Sequence, residues 1–135
     1  MACTRWFLFA CGVLFACRAS KHDFIDHVEP GIVALLCDHD RAPGDLPIYY
    51  RGCFEVDEPG CMAVMRRKVR ACAEQLVRGV VDDERTAGKL GERIGACAAT
   101  DYEAELEREG KSIRSHACAV AHDAYAKARA SVAGP

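Results

Sequence analysis

Six cysteines beyond the first 19 residues constrain this fold more than any other feature of the sequence. They are Cys37, Cys53, Cys61, Cys72, Cys97 and Cys118. Cys61 and Cys72 lie in the stretch Glu58–Asp82, whose apolar periodicity is typical of one long amphipathic helix. Eleven residues of helix turn through about 1100° and rise about 16 Å, whereas the Cα atoms of a disulfide lie within about 7 Å. The two cysteines therefore share a face but must bond different parts of the chain.

The first 19 residues have the pattern of a secretory signal peptide. Arg5 precedes an unbroken apolar run from Trp6 to Ala16, and Cys17 and Ala19 place small residues at the −3 and −1 positions of a cleavage site. The run is too short to cross a membrane, which takes about 20 residues. We therefore expect cleavage after Ala19, a secreted, extracellular product, and one disulfide-rich helical domain over 20–135.

Export to an oxidising compartment implies that the six remaining cysteines form three disulfides. In an antiparallel helix hairpin, cysteines at similar distances from the turn fall opposite each other. A turn near 83–86 then pairs Cys72 with Cys97, the same argument pairs Cys37 with Cys61, and Cys53 in the preceding loop is left for Cys118. The predicted disulfides are Cys37–Cys61, Cys72–Cys97 and Cys53–Cys118.

The spacing of apolar residues predicts an all-α fold, a small disulfide-stapled bundle of about four helices. The helices are expected within Phe24–Asp40, Glu58–Asp82, Thr86–Ala99 and Thr100–Ala130. Pro30 marks a kink or a fresh start in the first helix. Thr100, answered by Glu103, has the pattern of a capping box that begins the last helix, which Gly110 can divide. An irregular loop is expected near 41–56, with Ile48–Tyr50 as a short extended piece.

Three glycines repeat at helical spacing on one side of the third predicted helix: Gly88, Gly91 and Gly95. They could let a neighbouring backbone approach closely. Alternatively, they only weaken the helix, since each interior glycine costs up to about 1 kcal/mol relative to alanine.

Charge composition excludes some classes of partner. Removing the signal peptide with Arg5 and Arg18 leaves 16 basic and 20 acidic residues, a net charge of −4, which argues against nucleic acid. One basic face is nevertheless expected on the second helix, opposite its apolar stripe, and consists of Arg66, Arg67, Arg70 and Arg78. It could meet an extracellular protein, a glycan or an anionic lipid, or the acidic segment Asp101–Glu109 of the same chain.

A copper site is conceivable at the new N-terminus. Cleavage after Ala19 would start the chain with Ser20, Lys21 and His22. A free amine, two backbone amides and a third-position imidazole form the square-planar nitrogen set that Cu(II) favours, and His27 could add a ligand. A solvated N-terminal tail is the alternative interpretation.

The segment from Cys118 to Asp123, in which His122 precedes Asp123, resembles a fragment of the C-x3-H-D element of secreted phospholipases. In that family the histidine activates water and the aspartate binds calcium. The paired cysteine and the glycine-rich calcium loop are missing, and calcium needs six to eight oxygen ligands. A lipid hydrolase is therefore a remote alternative, with His122 as a helix-surface residue in the simpler interpretation.

Together these features favour a secreted, non-enzymatic binding protein. Its expected partner is a small apolar ligand held between stapled helices, or an extracellular protein or glycan. The alternative is a defence or toxin-like protein that acts against microbes by sequestering copper. No transmembrane segment and no nucleic-acid partner are expected, and Cu(II) is the sole cofactor considered.

Overall fold

The structure, a computed structural model, describes residues 19–38, 46–111, 113 and 115–133. Over these residues the chain forms helices and no strand, as the sequence predicts. The helices are α1 (Lys21–Cys37), α2 (Leu46–Cys53), α3 (Glu58–Leu76), α4 (Glu84–Arg108) and α5 (His116–Val132). No helix within the described ranges combines the length and the apolar character that a membrane crossing requires.

Helix α3 forms the centre of the bundle. Asp57 caps its N-terminus by accepting a hydrogen bond from the backbone N–H of Gly60 at 2.8 Å. Cys61, Met65, Val69 and Cys72 form its buried stripe, and none of these four residues is exposed to solvent. The stripe packs against α1 on one side and α4 on the other.

The expected helix over Glu58–Asp82 is too long by one and a half turns. α3 ends at Leu76, because Val77 turns to extended backbone and Gly79 adopts a positive φ of 79°. Val81 then pairs with Ala19 in an antiparallel bridge, with N–O distances of 3.2 and 3.3 Å. Arg78 and the exposed Val80 consequently lie outside the helix rather than on its two faces.

All three predicted disulfides are present. The Cα–Cα distances are 5.7 Å for Cys37–Cys61, 5.6 Å for Cys53–Cys118 and 6.0 Å for Cys72–Cys97. Two of them join α3 to its neighbours, to α1 near its start and to α4 near its end. The third joins α2 to α5.

The expectation of an irregular loop near 41–56, with an extended piece at Ile48–Tyr50, is wrong for Leu46–Cys53, which forms α2. Burial explains the difference, because the helix places Tyr49 and Tyr50 in the core together with Phe54. The predicted loop residues 41–45 lie outside the described part of the chain.

The predicted start of a helix at Thr100 is also wrong, since α4 runs without a break from Glu84 to Arg108. The hydroxyl of Thr100 donates to the carbonyl of Ala96 at 2.9 Å, so it bonds within the helix instead of capping one. The buried residues Ile94, Ala98, Tyr102 and Leu106, spaced four apart, carry one stripe through this point. The break expected at Gly110, where φ is 78°, is present.

Helix α1 is continuous through Pro30, so neither a fresh start nor a second cap occurs there. Ser20 caps it by accepting from the backbone N–H of Asp23 at 3.2 Å. Ion pairs attach its exposed side to α3, with Lys21 Nζ 2.7 Å from Glu74 Oε2 and Arg70 close to Glu29.

Helix α5 is attached differently, because none of its residues is buried. It lies against α4 and α2, and it is held by the Cys53–Cys118 disulfide and by an ion pair from Arg129 to α4. It is therefore the helix that depends least on hydrophobic packing.

We expect Gly91→Ala to raise the free energy of unfolding by about 1 kcal/mol, because a Cβ there has open space and glycine is a poor helix former. The matched change Gly79→Ala should lower it by about 1 kcal/mol, since Gly79 has a positive φ that alanine tolerates poorly. Urea unfolding followed by circular dichroism measures both, and equal signs would contradict the assignment of the two backbone conformations.

Replacing Cys53 and Cys118 together by serine should lower the free energy of unfolding by about 2–4 kcal/mol, because the bond closes a chain segment of 65 residues. The loss should appear first as faster amide hydrogen exchange in α5, which has no buried side chain to hold it. The corresponding double variant at Cys37 and Cys61 serves as the control and should affect α1 and α3. Uniform acceleration in both variants would show that α5 is not a separate unit.

Candidate functional site

An apolar groove of about 870 Å³ lies between α1, α4 and α5. α4 forms its floor, α1 and α5 form its two walls, and the segment 81–84 together with Ala19 forms one end. We call this space the apolar groove.

The floor of the apolar groove is the glycine side of α4. A Cβ placed on Gly88 or Gly91 would have no atom within 4 Å, and one on Gly95 would lie 3.7 Å from Cγ2 of Ile32. Of the three glycines, Gly95 alone lies next to a neighbouring helix, and the distance there is that of an ordinary van der Waals contact. At Gly88 and Gly91 the missing side chains leave open volume.

The α1 wall consists of aliphatic and aromatic side chains at helical spacing. Phe24, Val28, Ile32 and Leu35 follow one another at intervals of four, four and three residues. Phe24 is buried by the chain itself, whereas Val28 and Ile32 are partly buried and Leu35 is 49% exposed. The last three offer apolar surface that the described part of the chain does not fully cover.

The α5 wall is made by Tyr125, Ala128, Arg129 and Val132. Arg129 is its single charged member, and its side chain is only 15% exposed. The guanidinium does not offer a free positive charge to the groove, because it is ion-paired with the buried Glu103 of α4.

Glu103 is the centre of a buried polar cluster. It is 4% exposed and makes a bidentate ion pair with Arg129, with Nη1–Oε1 and Nη2–Oε2 distances of 2.8 and 2.7 Å. The hydroxyls of Tyr49 and Tyr50 donate to the same Oε1 at 3.2 and 3.3 Å. His122 Nδ1 lies 3.1 Å from the Tyr49 hydroxyl and 3.5 Å from Glu103 Oε2. The cluster thus ties α2, α4 and α5 together at the edge of the groove.

This cluster is absent from the sequence prediction, which assigned Glu103 to a capping box and the segment with the two tyrosines to a loop. A signal for it exists in the spacing. Glu103 follows Tyr102 on the buried side of α4, and Arg129 lies seven residues, two helical turns, beyond His122 on the side of α5 that also carries Cys118.

Carboxylates surround one end of the apolar groove. Asp82, Asp83 and Glu84 line this end, Glu92 lines the floor about two turns further along α4, and all four are exposed. Asp83 caps α4 by accepting from the backbone N–H of Thr86 at 2.8 Å, and hydrogen bonds from the side chain and the backbone of Thr86 lower the pKa of Asp83. The other three make no ion pair with any described residue. The groove is therefore lined mainly by apolar groups, with negative charge at one end and at Glu92.

The predicted basic face on α3 is largely occupied by other side chains of the same chain. Arg70 pairs with Asp26, at 3.0 Å, and with Glu29 of α1. Arg67 lies 3.9 Å from Glu105 Oε1, so the acidic segment of α4 does answer part of this face. Arg66 is exposed, and Arg78 lies beyond the helix. Three of the four arginines therefore remain neighbours on the exposed side of α3, and Arg78 is the exception.

Lys68 makes the shorter contact with the same α4 carboxylate. Its Nζ lies 2.5 Å from Glu105 Oε2.

The predicted copper ligands lie directly before α1 and in its first half. Ser20 caps α1, Lys21 pairs with Glu74, and His22 is exposed on the first turn. His27 lines the apolar groove and is five residues from His22, about 140° around the helix. In the described chain Ser20 is not a terminus, because Ala19 precedes it, so the copper site stays a prediction.

The phospholipase-like segment also has structural roles. Cys118 is bonded to Cys53, His122 faces the Glu103 cluster, and Asp123 is exposed. Among the described residues, one group of three potential ligands lies close enough for a metal ion, Cys72, Cys97 and Asp101. Its two sulfurs are joined in a disulfide, so they are not thiolate ligands.

Burial raises the pKa of the three core tyrosines, and it acts together with nearby carboxylates. For Tyr49 and Tyr50 the carboxylate is Glu103. The pKa of Tyr102 rises to about 12, from an ordinary value of 10.0, mainly through burial and then through Glu109, Glu105 and Asp57. Within the described chain the Tyr102 hydroxyl has no hydrogen-bond partner.

These shifts predict alkaline unfolding. A folded-state pKa above the unfolded value means that the fold favours the neutral phenol. The contribution of this preference to the free energy of unfolding is complete below pH 10 and is lost as the pH rises towards 12. Tyrosinate absorbance of the chain from Ser20 onward, which lacks Trp6, should therefore appear together with loss of the helical circular dichroism signal. A urea-unfolded sample should titrate near pH 10. Ionisation of all tyrosines near pH 10 with the helices intact would contradict the burial argument.

The chain matches no protein-family model, no curated protein and no solved structure in the three comparisons made. Its function has to be argued from the geometry of the apolar groove.

Proposed function

We propose that the chain is an exported, non-enzymatic binding protein that holds a small apolar ligand in the apolar groove. The observation that carries the proposal is an open volume of about 870 Å³ bounded mainly by apolar side chains and glycine backbone. Export rests on the signal-peptide pattern and agrees with the three disulfides.

The dimensions and surface of the groove suit a small molecule. Ligand sites typically enclose about 300–1,000 Å³ and are lined mostly by apolar side chains with a few polar groups. A ligand that covers Val28, Ile32 and the half-exposed Leu35 would remove apolar surface from water, at about 0.8 kcal/mol for each buried methylene group.

One wall and the floor of the groove are held in place before any ligand arrives. Disulfides to α3 fix the wall helix α1 at Cys37 and the floor helix α4 at Cys97. A preformed site binds more tightly than one that must order on binding, because less conformational entropy is lost. The other wall, α5, is fixed by Cys118 and by the Glu103 cluster.

A macromolecular partner on the arginine face has less support. Arg67 and Arg70 already contact carboxylates of α4 and α1. A partner would have to replace these intramolecular pairs rather than neutralise unpaired cations.

The proposal predicts that the protein beginning at Ser20 raises the fluorescence of N-phenyl-1-naphthylamine, a neutral apolar probe. Gly91→Leu should weaken probe affinity about tenfold, because its side chain would occupy the groove in place of roughly two methylene groups of ligand. Ala104→Leu is the matched control, since Ala104 is exposed on α4 outside the groove and should leave affinity unchanged.

Absence of probe binding by a folded protein, or equal binding by both leucine variants, would reject the proposal. Analytical ultracentrifugation tests whether a second copy of the chain occupies the groove instead of a small ligand. A dimer that Gly91→Leu dissociates and Ala104→Leu does not would show that a second copy of the chain covers the groove.

A further inference from the structure

We propose that the ligand class of the apolar groove is a hydrophobic amine, an apolar body with one cationic ammonium group at the acidic end. This inference rests on the proposed function and adds the sign of the ligand's charge.

The charges that line the groove are unbalanced. Asp82, Glu84 and Glu92 make no ion pair among the described residues, and each is exposed at the groove. Because none of the three is ion-paired with another described residue, an ammonium group of a bound ligand would find attractive partners there.

The basic groups near the groove do not cancel this charge. Arg129 is neutralised by its bidentate contact with buried Glu103. His27 lines the α1 wall and forms no ion pair with another described residue. Arg85 and Lys89 follow the acidic end along α4, but they do not line the groove.

A carboxylate ligand fits this arrangement poorly. Its head group would meet the unpaired carboxylates of Asp82 and Glu84 at one end and that of Glu92 on the floor. The guanidinium of Arg129, on the α5 wall, is already ion-paired with Glu103. A neutral ligand would bind through its apolar body alone and gain nothing from the acidic end.

The test compares decylamine, decanol and decanoate, which share a ten-carbon chain and differ in the head group. Each displaces N-phenyl-1-naphthylamine from the protein beginning at Ser20 at pH 7 and low salt. We expect decylamine to bind about tenfold more tightly than decanol, with decanoate weaker still, since each exposed carboxylate contributes modestly. Raising the ionic strength should remove the preference for the amine and leave decanol binding unchanged.

A matched pair of triple variants locates the preference. Asp82→Asn, Glu84→Gln and Glu92→Gln together should reduce it to less than threefold while retaining decanol binding; Asp83 is kept because it caps α4. The control carries Asp101→Asn, Glu107→Gln and Asp123→Asn, exposed positions outside the groove, and undergoes the same change in net charge. It should keep the preference.

The outcomes separate the two proposals. Equal binding of the three compounds, or preference for decanoate, overturns the amine inference while the groove remains an apolar binding site. Loss of the preference for decylamine in the control variant also overturns the amine inference, because the preference would then depend on the net charge of the protein and not on the groove. Failure of all three compounds to displace the probe, or of the probe to bind, overturns both proposals.

Discussion

Two disulfides at opposite ends of α3 determine where the other helices can lie. Cys61 and Cys72 share one buried face of that helix, about 16 Å apart, and they bond α1 and α4 respectively. Both helices therefore pack against α3 rather than mainly against each other. α5 has no bond to α3 and lies against α4 and α2, so it does not fill the space between α1 and α4. The apolar groove is a consequence of this order of attachment.

The glycine side of α4 keeps that space open at a cost in stability. Gly88 and Gly91 lie inside a helix, where each is up to about 1 kcal/mol less favourable than alanine, and larger side chains would meet no obstacle there. For a domain whose total stability is about 5–15 kcal/mol, this is not negligible. The three disulfides compensate, because each typically adds about 2–4 kcal/mol.

Geometry explains which features the sequence allowed us to predict. The pairing of the cysteines followed from the length of α3 and from hairpin symmetry, which depend only on helical rise and periodicity. The end of α3 did not follow, because Val80 fits the apolar stripe of a longer helix. The chain instead becomes extended at Val77, turns at Gly79 and pairs with Ala19 through Val81. Thr100 satisfies both the capping pattern and an i−4 hydrogen bond, and the burial of Tyr102 decides between them.

The candidate site was less predictable because it depends on contacts between helices distant in sequence. The glycine repeat was visible, but whether it faced a neighbouring helix or open space depended on the position of α5. In the Glu103 cluster, Arg129 lies 26 positions from Glu103 in the sequence and Tyr49 lies 54 positions from it. Local periodicity does not encode partners at such distances. α2 escaped prediction because its eight residues are too few for a clear apolar period, and two of its core contacts are made by tyrosines.

The acidic end of the groove has two separable origins. Asp83 and Glu84 belong to the first turn of α4, where negative charge offsets the partial positive charge of roughly half an electron that a helix N-terminus carries. Together they exceed that partial charge, and Asp82 adds to the excess without capping anything. Glu92 lies two turns further along α4, beyond the reach of the terminal dipole. The helix N-terminus therefore accounts for the charge of Asp83 in full and for that of Glu84 in part. The negative charge of Asp82 and Glu92 has no such explanation and lies at the groove.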